Sequence, residues 1–201
     1  MKKQIPNTLY LSITVISFIF IGCSKDKPCN NDIITQDIYA NVKSQFIYKG
    51  NEKLTFINVN TKDTHTFNGQ GLIKDYGTSQ SSGAGGCSHT YKLERNYIIF
   101  KSPTFSSSIT ATLLYYDIEG IPYLEINFNK TIYIASGGSI RKPFDYDSLF
   151  IQGNQYYNIG YFTNEYKPNQ AVKYGCYYNL NQGVIKMETN DGSVWELIKI
   201  E

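Results

Sequence analysis

The segments GVIKMET (183–189) and SVWELIKI (193–200) flank Asn190-Asp191-Gly192, and this Asp-Gly pair supplies the positive φ that a tight hairpin turn requires. The same punctuation recurs along the chain. LTFINV (54–59) and THTFN (64–68) flank the polar turn Asn60-Thr61-Lys62-Asp63, and ITATLLYYDI (109–118) and IPYLEINFN (121–129) flank Glu119-Gly120. Strands joined this closely must be antiparallel neighbours, because a parallel crossover needs a dozen or more residues. Roughly ten to twelve short strands, spaced about 8–12 residues apart, predict an all-β antiparallel meander. It would form a curved sheet or incomplete barrel, with a two-layer β-sandwich as the alternative. In 121–129 the residues Leu124, Ile126 and Phe128 share one face, opposite Tyr123, Glu125 and Asn127. Alternation is less regular in VWELIKI, where Trp195 and Leu197 oppose Val194, Ile198 and Ile200, so part of the sheet is expected to be covered on both faces. Two stretches, GTSQSSGAGGCSH (77–89) and ASGGSIRKPFDYD (135–147), read as long loops.

Ahead of the strands, residues 23–45 are polar and read as a tether ending in a short helix. Ile34, Ile38 and Val42 recur every four residues behind Asp32 as a candidate cap. The expected organisation is a leader over 1–22, the tether over 23–45 and one β domain over 46–201.

The leader begins with Lys2 and Lys3, followed by an apolar run from Leu9 to Gly22. That run is shorter than the ~20 residues of a membrane span and fits the apolar region of a secretory signal. It ends Phe20-Ile21-Gly22-Cys23, followed at once by SKDKPCNNDI. This resembles the lipobox of bacterial lipoproteins, in which cleavage leaves the cysteine as the new N-terminus, acylated on thiol and amine. The resemblance implies a palmitate-type anchor on Cys23, a lipid bilayer as partner, and attachment at the outer membrane or cell surface, facing the periplasm or exterior. Two or more acyl chains anchor stably, at ~0.8 kcal/mol per buried CH₂. Cleavage removes two lysines and no acid from the 19 basic and 17 acidic residues, so the two signs then balance. The basic pI therefore gives no reason to expect a nucleic-acid partner. With 18 Tyr and 11 Phe, the composition suits an extended sheet surface decorated with tyrosine.

The segments YKGNEKLTFINVNTKDTHTF (48–67) and YYNLNQGVIKMETNDGSVWEL (177–197) are similar to the beginning and end of a broad group of uncharacterised Gram-negative lipoproteins. These open on a Tyr-x-Gly-x-x-x-Leu-x-Phe pattern, carry a central cysteine-containing loop and close on an aromatic strand. The resemblance implies an extracytoplasmic β fold and no catalytic residues.

With Cys23 acylated, Cys29, Cys87 and Cys176 remain, in a compartment where disulfides persist. A Cys87–Cys176 bond is favoured, because it would staple the Gly-Ser loop to the sheet; Cys29–Cys87 is the competing pairing. Cys87 beside His89 could be read as a nucleophile and its base, and Asp63, His65, Cys87 and His89 as a metal set. Neither has the orienting third group or the ligand spacing that such sites need. The glycines of GAGGCSH precede a strand pattern, not a helix, so they form no phosphate cradle. Glu188, Glu196, Asp145 and Asp147 could supply a carboxylate pair, and Asp145-Tyr146-Asp147 is a weak calcium hint. Asp147-Ser148-Leu149 resembles a short O-glycosylation acceptor of some Gram-negative secreted proteins. No cofactor or metal is expected. The expected function is that of a non-enzymatic binding or interaction module, whose partner is an unknown protein, glycan or lipid. The alternative is a carrier sheltering an apolar ligand against Leu124, Ile126 and Phe128.

Overall fold

A computed structural model describes residues 32–44, 46–82, 88–115, 122–135, 145–163 and 174–201. These residues form β1 (Ile33–Gln36), α1 (Ala40–Lys43), β2 (Lys53–Asn58), β3 (Thr64–Ser82), β4 (Ser88–Lys101), β5 (Ser108–Tyr115) and β6 (Pro122–Phe128). They continue with β7 (Thr131–Ala135), β8 (Tyr146–Ile151), β9 (Asn154–Thr163), β10 (Gly175–Asn179), β11 (Gly183–Glu188) and β12 (Val194–Ile200). The fold is all-β, in one sheet. Sequential neighbours pair antiparallel from β2 to β7 and from β9 to β12, while β12 pairs with β2 and β4 with β5. Hydrogen bonds therefore run around a ring. It is an irregular one, since β7 and β9 meet at the single pair Ile134–Thr163, and β8 lies beside β9 off the ring.

Three sequence expectations are corrected. Residues 77–82 are strand, not loop, paired from Gly77–Leu93 to Ser82–Ser88. β2 pairs only with Thr64–Asn68 of β3, and β5 pairs with β4 only from Arg95 onward. The rest of β3 and β4 extends beyond both partners as a two-stranded arm, and β1 takes the place of β5 along it, parallel to β4 from Ile33–Thr90 to Gln36–Leu93. Backbone pairing thus overrides the weak strand propensity of Gly, Ser and Gln. The expected helix behind Asp32 shrinks to α1, because Ile33 and Ile34 enter this parallel ladder; Tyr39 precedes α1 without a side-chain cap. Residues 33–44, assigned from sequence to the tether, thereby pack onto the domain. Finally, the irregular pattern of VWELIKI reflects a shift in register between Leu197 and Lys199, which turns Ile198 outward at 40% exposure. One strand away, Val184 and Ile185 of β11 are both fully buried because a register shift against Tyr177 and Tyr178 of β10 puts the two side chains into the same core.

The ring interior is filled. Phe56, Phe67, Phe100, Phe128, Tyr133, Ile126, Ile185 and Met187 have no accessible surface, and Tyr48 inserts beside Phe100 and donates no gap to solvent at 2% exposure. A smaller cluster of Ile38, Val42, Leu93, Leu113 and Tyr115 joins the N-terminal segment to the base of the arm.

At one end of the ring the turns bond to one another. Asn58 Oδ1 accepts the backbone N–H groups of Asn60 and Thr61, and Gly192 adopts the positive φ of 81° expected from Asp-Gly. Asn129 Nδ2 donates to Asp191 Oδ2 at 3.0 Å, Asn190 N to Thr131 Oγ1 at 3.2 Å, and Val194 N to Asn60 Oδ1 at 2.9 Å.

Candidate functional site

Strand side chains alternate between faces, and the register across β9 to β12 lines them into two rows. Phe162, Cys176, Met187 and Trp195 form the inner row, all buried. Tyr161, Tyr177, Lys186 and Glu196 form the outer row, each one residue away from an inner neighbour. β8 adds Tyr146. The rings of Tyr161 and Tyr177 lie 4.8 Å apart between centroids, and Tyr146 stands 5.7 Å from Tyr177 and 6.0 Å from Tyr161, edge-on to the latter. Such tilted and edge-to-face contacts suit the quadrupoles of aromatic rings.

The cluster is held from several sides. Gly175 lies beneath Tyr161, where a Cβ would overlap the phenol ring. The carboxylate of Asp145 accepts the backbone N–H of Tyr161 at 2.7 Å. Lys186 Nζ sits 5.1 Å from the centre of the Tyr177 ring and pairs with Glu188 at 3.2 Å, while Tyr177 Oη donates to Glu188 Oε1 at 3.4 Å. Burial, then the nearby Glu188 carboxylate, pushes the phenol pKa of both Tyr161 and Tyr177 upward, so both remain hydroxyl donors at neutral pH. Tyr146 is 39% exposed, and the β8–β9 hairpin carries two further open rings, Phe150 at 67% and Tyr157 at 62%. The wall therefore offers aromatic faces next to hydroxyl, ammonium and carboxylate groups.

A second polar cluster is buried. The Glu94 side chain has no accessible surface, yet it accepts the N–H of Ile38 at 2.7 Å, Asn96 Nδ2 at 2.9 Å, and pairs with Lys43 at 2.9 Å and Lys74 at 3.3 Å. Burial alone would raise its pKa; the bonds from Lys43, Asn96, Ile38 and Lys74 outweigh it and hold the carboxyl at about 2. Tyr115 Oη donates to the Asp37 carbonyl at 2.9 Å and Tyr76 Oη to the Asp37 carboxylate at 2.7 Å. The N-terminal segment is thus pinned to β4 and β5 by a paired charge.

The residues singled out in the sequence do not converge. Cys23, Cys29 and Cys87 lie outside the described residues. Cys176 is a free thiol with no accessible surface, its pKa raised by burial. His65 Nδ1 is 3.2 Å from Thr104 Oγ1 and its ring packs on Phe105 and Trp195. His89 pairs across to Ser81, roughly 50 Å along β3 from His65 at ~3.3 Å per residue, so the two cannot share a metal. Among the described residues no three His, Cys, Asp or Glu side chains are placed to hold a metal ion. Glu196 accepts from Gln152 at 2.6 Å, Asp145 and Glu188 serve the tyrosine cluster, and Asp147 and Ser148 are exposed on β8. Leu124, Ile126 and Phe128 are packed at 4%, 0% and 0% exposure, with Phe67, Phe105 and Trp195 against Phe128.

Sequence reasoning expected tyrosines on the sheet surface without selecting Tyr146, Tyr161 and Tyr177, because their meeting depends on β8 lying beside β9. Glu94 was missed altogether. Its signal was present: Glu94 and Asn96 alternate in phase with Ile98 and Phe100, which places them on the inward face of β4. No protein-family model, curated protein or solved structure matches the chain.

Proposed function

We propose that the protein is a lipoprotein anchored through acylated Cys23 at the outer membrane or cell surface, and that its β domain is a non-enzymatic binding module. The observation that supports the binding role is the half-exposed Tyr146–Tyr161–Tyr177 cluster with Lys186 and Glu188 at its edge. A ligand with a flat apolar face rimmed by polar groups, such as a sugar ring, fits those groups: the rings take the face, and the hydroxyls and ammonium take the rim. The packed state of Leu124, Ile126 and Phe128 gives the carrier reading no comparable support.

Two measurements test the proposal. Metabolic palmitate label is expected on the wild-type protein and absent from Cys23→Ala; label retained in the variant removes the anchor. On a glycan array, the wild-type protein is expected to bind a subset of glycans that the double variant Tyr161→Ala/Tyr177→Ala no longer binds. Binding that survives in a folded double variant shows that the cluster is not the contact surface.

A further inference from the structure

We infer that the arm formed by β3 and β4, together with β1, is the end of the molecule turned toward the lipid bilayer, and that the interlocked turns form the end turned away. The inference rests on the reading of Cys23 as an acylated anchor.

The first support is where the chain leaves the fold. Because β1 runs parallel to β4, its first residue Ile33 sits opposite Thr90, two residues from the start of β4 at the outer end of the arm. Ile33 is only ten residues along the chain from Cys23, a span of at most about 35 Å when fully extended. Thr90 in turn pairs with Gln80, and from there back to Thr64 at the turn end β3 covers roughly 50 Å. Standing the domain on its turns would lift Ile33 farther from the bilayer than the tether can follow. Nor can the tether lengthen easily by peeling β1 away, since the chain is fastened just behind it by the Ile38 N–H and Lys43 bonds to Glu94 and by burial of Ile38 and Val42.

The second support is the distribution of exposed apolar groups. Ile33 (60%), Ile34 (41%), Tyr39 (59%) and Tyr76 (38%) lie on the arm or on the segment leading to it, and Leu72 and Ile73 lie on β3 just below it; the other exposed large hydrophobic residues among those described are on the β8–β9 hairpin (Tyr146, Phe150, Tyr157) and on the ring wall (Ile132, Ile198). The turns at the other end, 58–63, 102–107, 129–131 and 189–193, contribute none of the exposed large hydrophobic residues. Scattered aliphatic and tyrosine side chains of this kind favour the headgroup boundary of a membrane over water, each adding to what the acyl chains supply. In this posture the tyrosine cluster, on the wall where β9 and β10 approach the turn end, is held clear of the lipid.

Energy transfer to the membrane plane tests the orientation. The full-length acylated protein is reconstituted in vesicles of phosphatidylethanolamine and phosphatidylglycerol containing a headgroup-labelled acceptor lipid. A donor is placed, one site at a time, by an unnatural amino acid at Thr78 or Gln80 on the arm and at Thr61 or Ser106 in the turns, all exposed positions. Intact mass first establishes acylation in each sample. Transfer is expected to be several-fold more efficient from Thr78 and Gln80 than from Thr61 and Ser106. Equal transfer, or the reverse order, in acylated protein overturns the orientation while leaving the anchor intact. A protein without acyl mass overturns the anchor, and the orientation with it.

Discussion

The ring interior and the small cluster at the base of the arm are both closed to water, but they are made of different materials. The interior is aromatic and aliphatic, with Phe67, Phe105 and Trp195 packed edge-on, stacked or tilted around Phe128. The base of the arm holds an ionised carboxylate, Glu94, bonded by the Ile38 N–H, Asn96 and two partly exposed lysines beside the Ile38–Leu93–Leu113 cluster. Apolar burial is indifferent to pH and to which strand supplies the methylene groups. A buried charge holds only while its partners stay in place and while it stays ionised. The difference teaches that the N-terminal segment is fastened by a specific, titratable contact, whereas the ring closes on bulk packing.

The largest effect that would sharpen this contrast is Phe128→Ala. It should cost about 3–5 kcal/mol, seen as a drop in the urea midpoint, with the same cost at neutral and acid pH because no titratable group is involved. A cost that changed with pH would show that a titratable group takes part in the packing around Phe128.

Glu94→Gln should come next, at about 3 kcal/mol near neutral pH, from a carboxyl lowered from 4.5 to about 2. The sign follows from that lowering: the folded state favours the ionised form, so the contribution is complete above the unfolded value and disappears as pH falls from 4.5 through 2. Urea unfolding of wild type and variant at pH 7 and pH 2 should therefore show a gap that closes in acid. Amide exchange in residues 33–44 should accelerate before the rest of the fold. A gap of equal size at both pH values would break the comparison.

Cysteine chemistry separates the two regions by access. Cys176, in the ring core, should resist alkylation in the native protein and react on unfolding. Because Cys176 is a free, fully buried thiol, non-reducing peptide maps are expected to leave it unbridged. A bridge to Cys176 would restore the pairing that the sequence favoured.

The smallest effect on stability is expected outside both clusters. Tyr161→Ala should change the unfolding free energy by about 1 kcal/mol or less, measured by the same denaturation, while weakening ligand binding. A large destabilisation would mean that the outer row is structural.

Much of the fold was legible. Asp191-Gly192 and Asn60 to Asp63 mark turns where the strands do turn, and the alternation of Leu124, Ile126 and Phe128 gives their inward face. Where the reading failed, the deciding contact was distant in sequence. GTSQSS looks like loop because its propensity is weak, and it is strand because Tyr91 and Leu93 lie opposite. Ile34 looks helical by its spacing to Ile38 and Val42, and it is strand because β4 offers an open edge. The tyrosine site was half legible: alternation puts Tyr161 and Tyr177 outward, but only the fold brings Tyr146 beside them.

The sequence by itself determined what depends on neighbours a few residues apart: hairpin turns and the face each side chain takes. Tertiary structure alone decided that β12 meets β2, that β1 fastens along the arm, and that Glu94 finds Lys43, Lys74 and Ile38 inside. Local propensities are set by steric limits within a few bonds, whereas ring closure and a buried ion pair join segments that no local preference distinguishes until they are packed together.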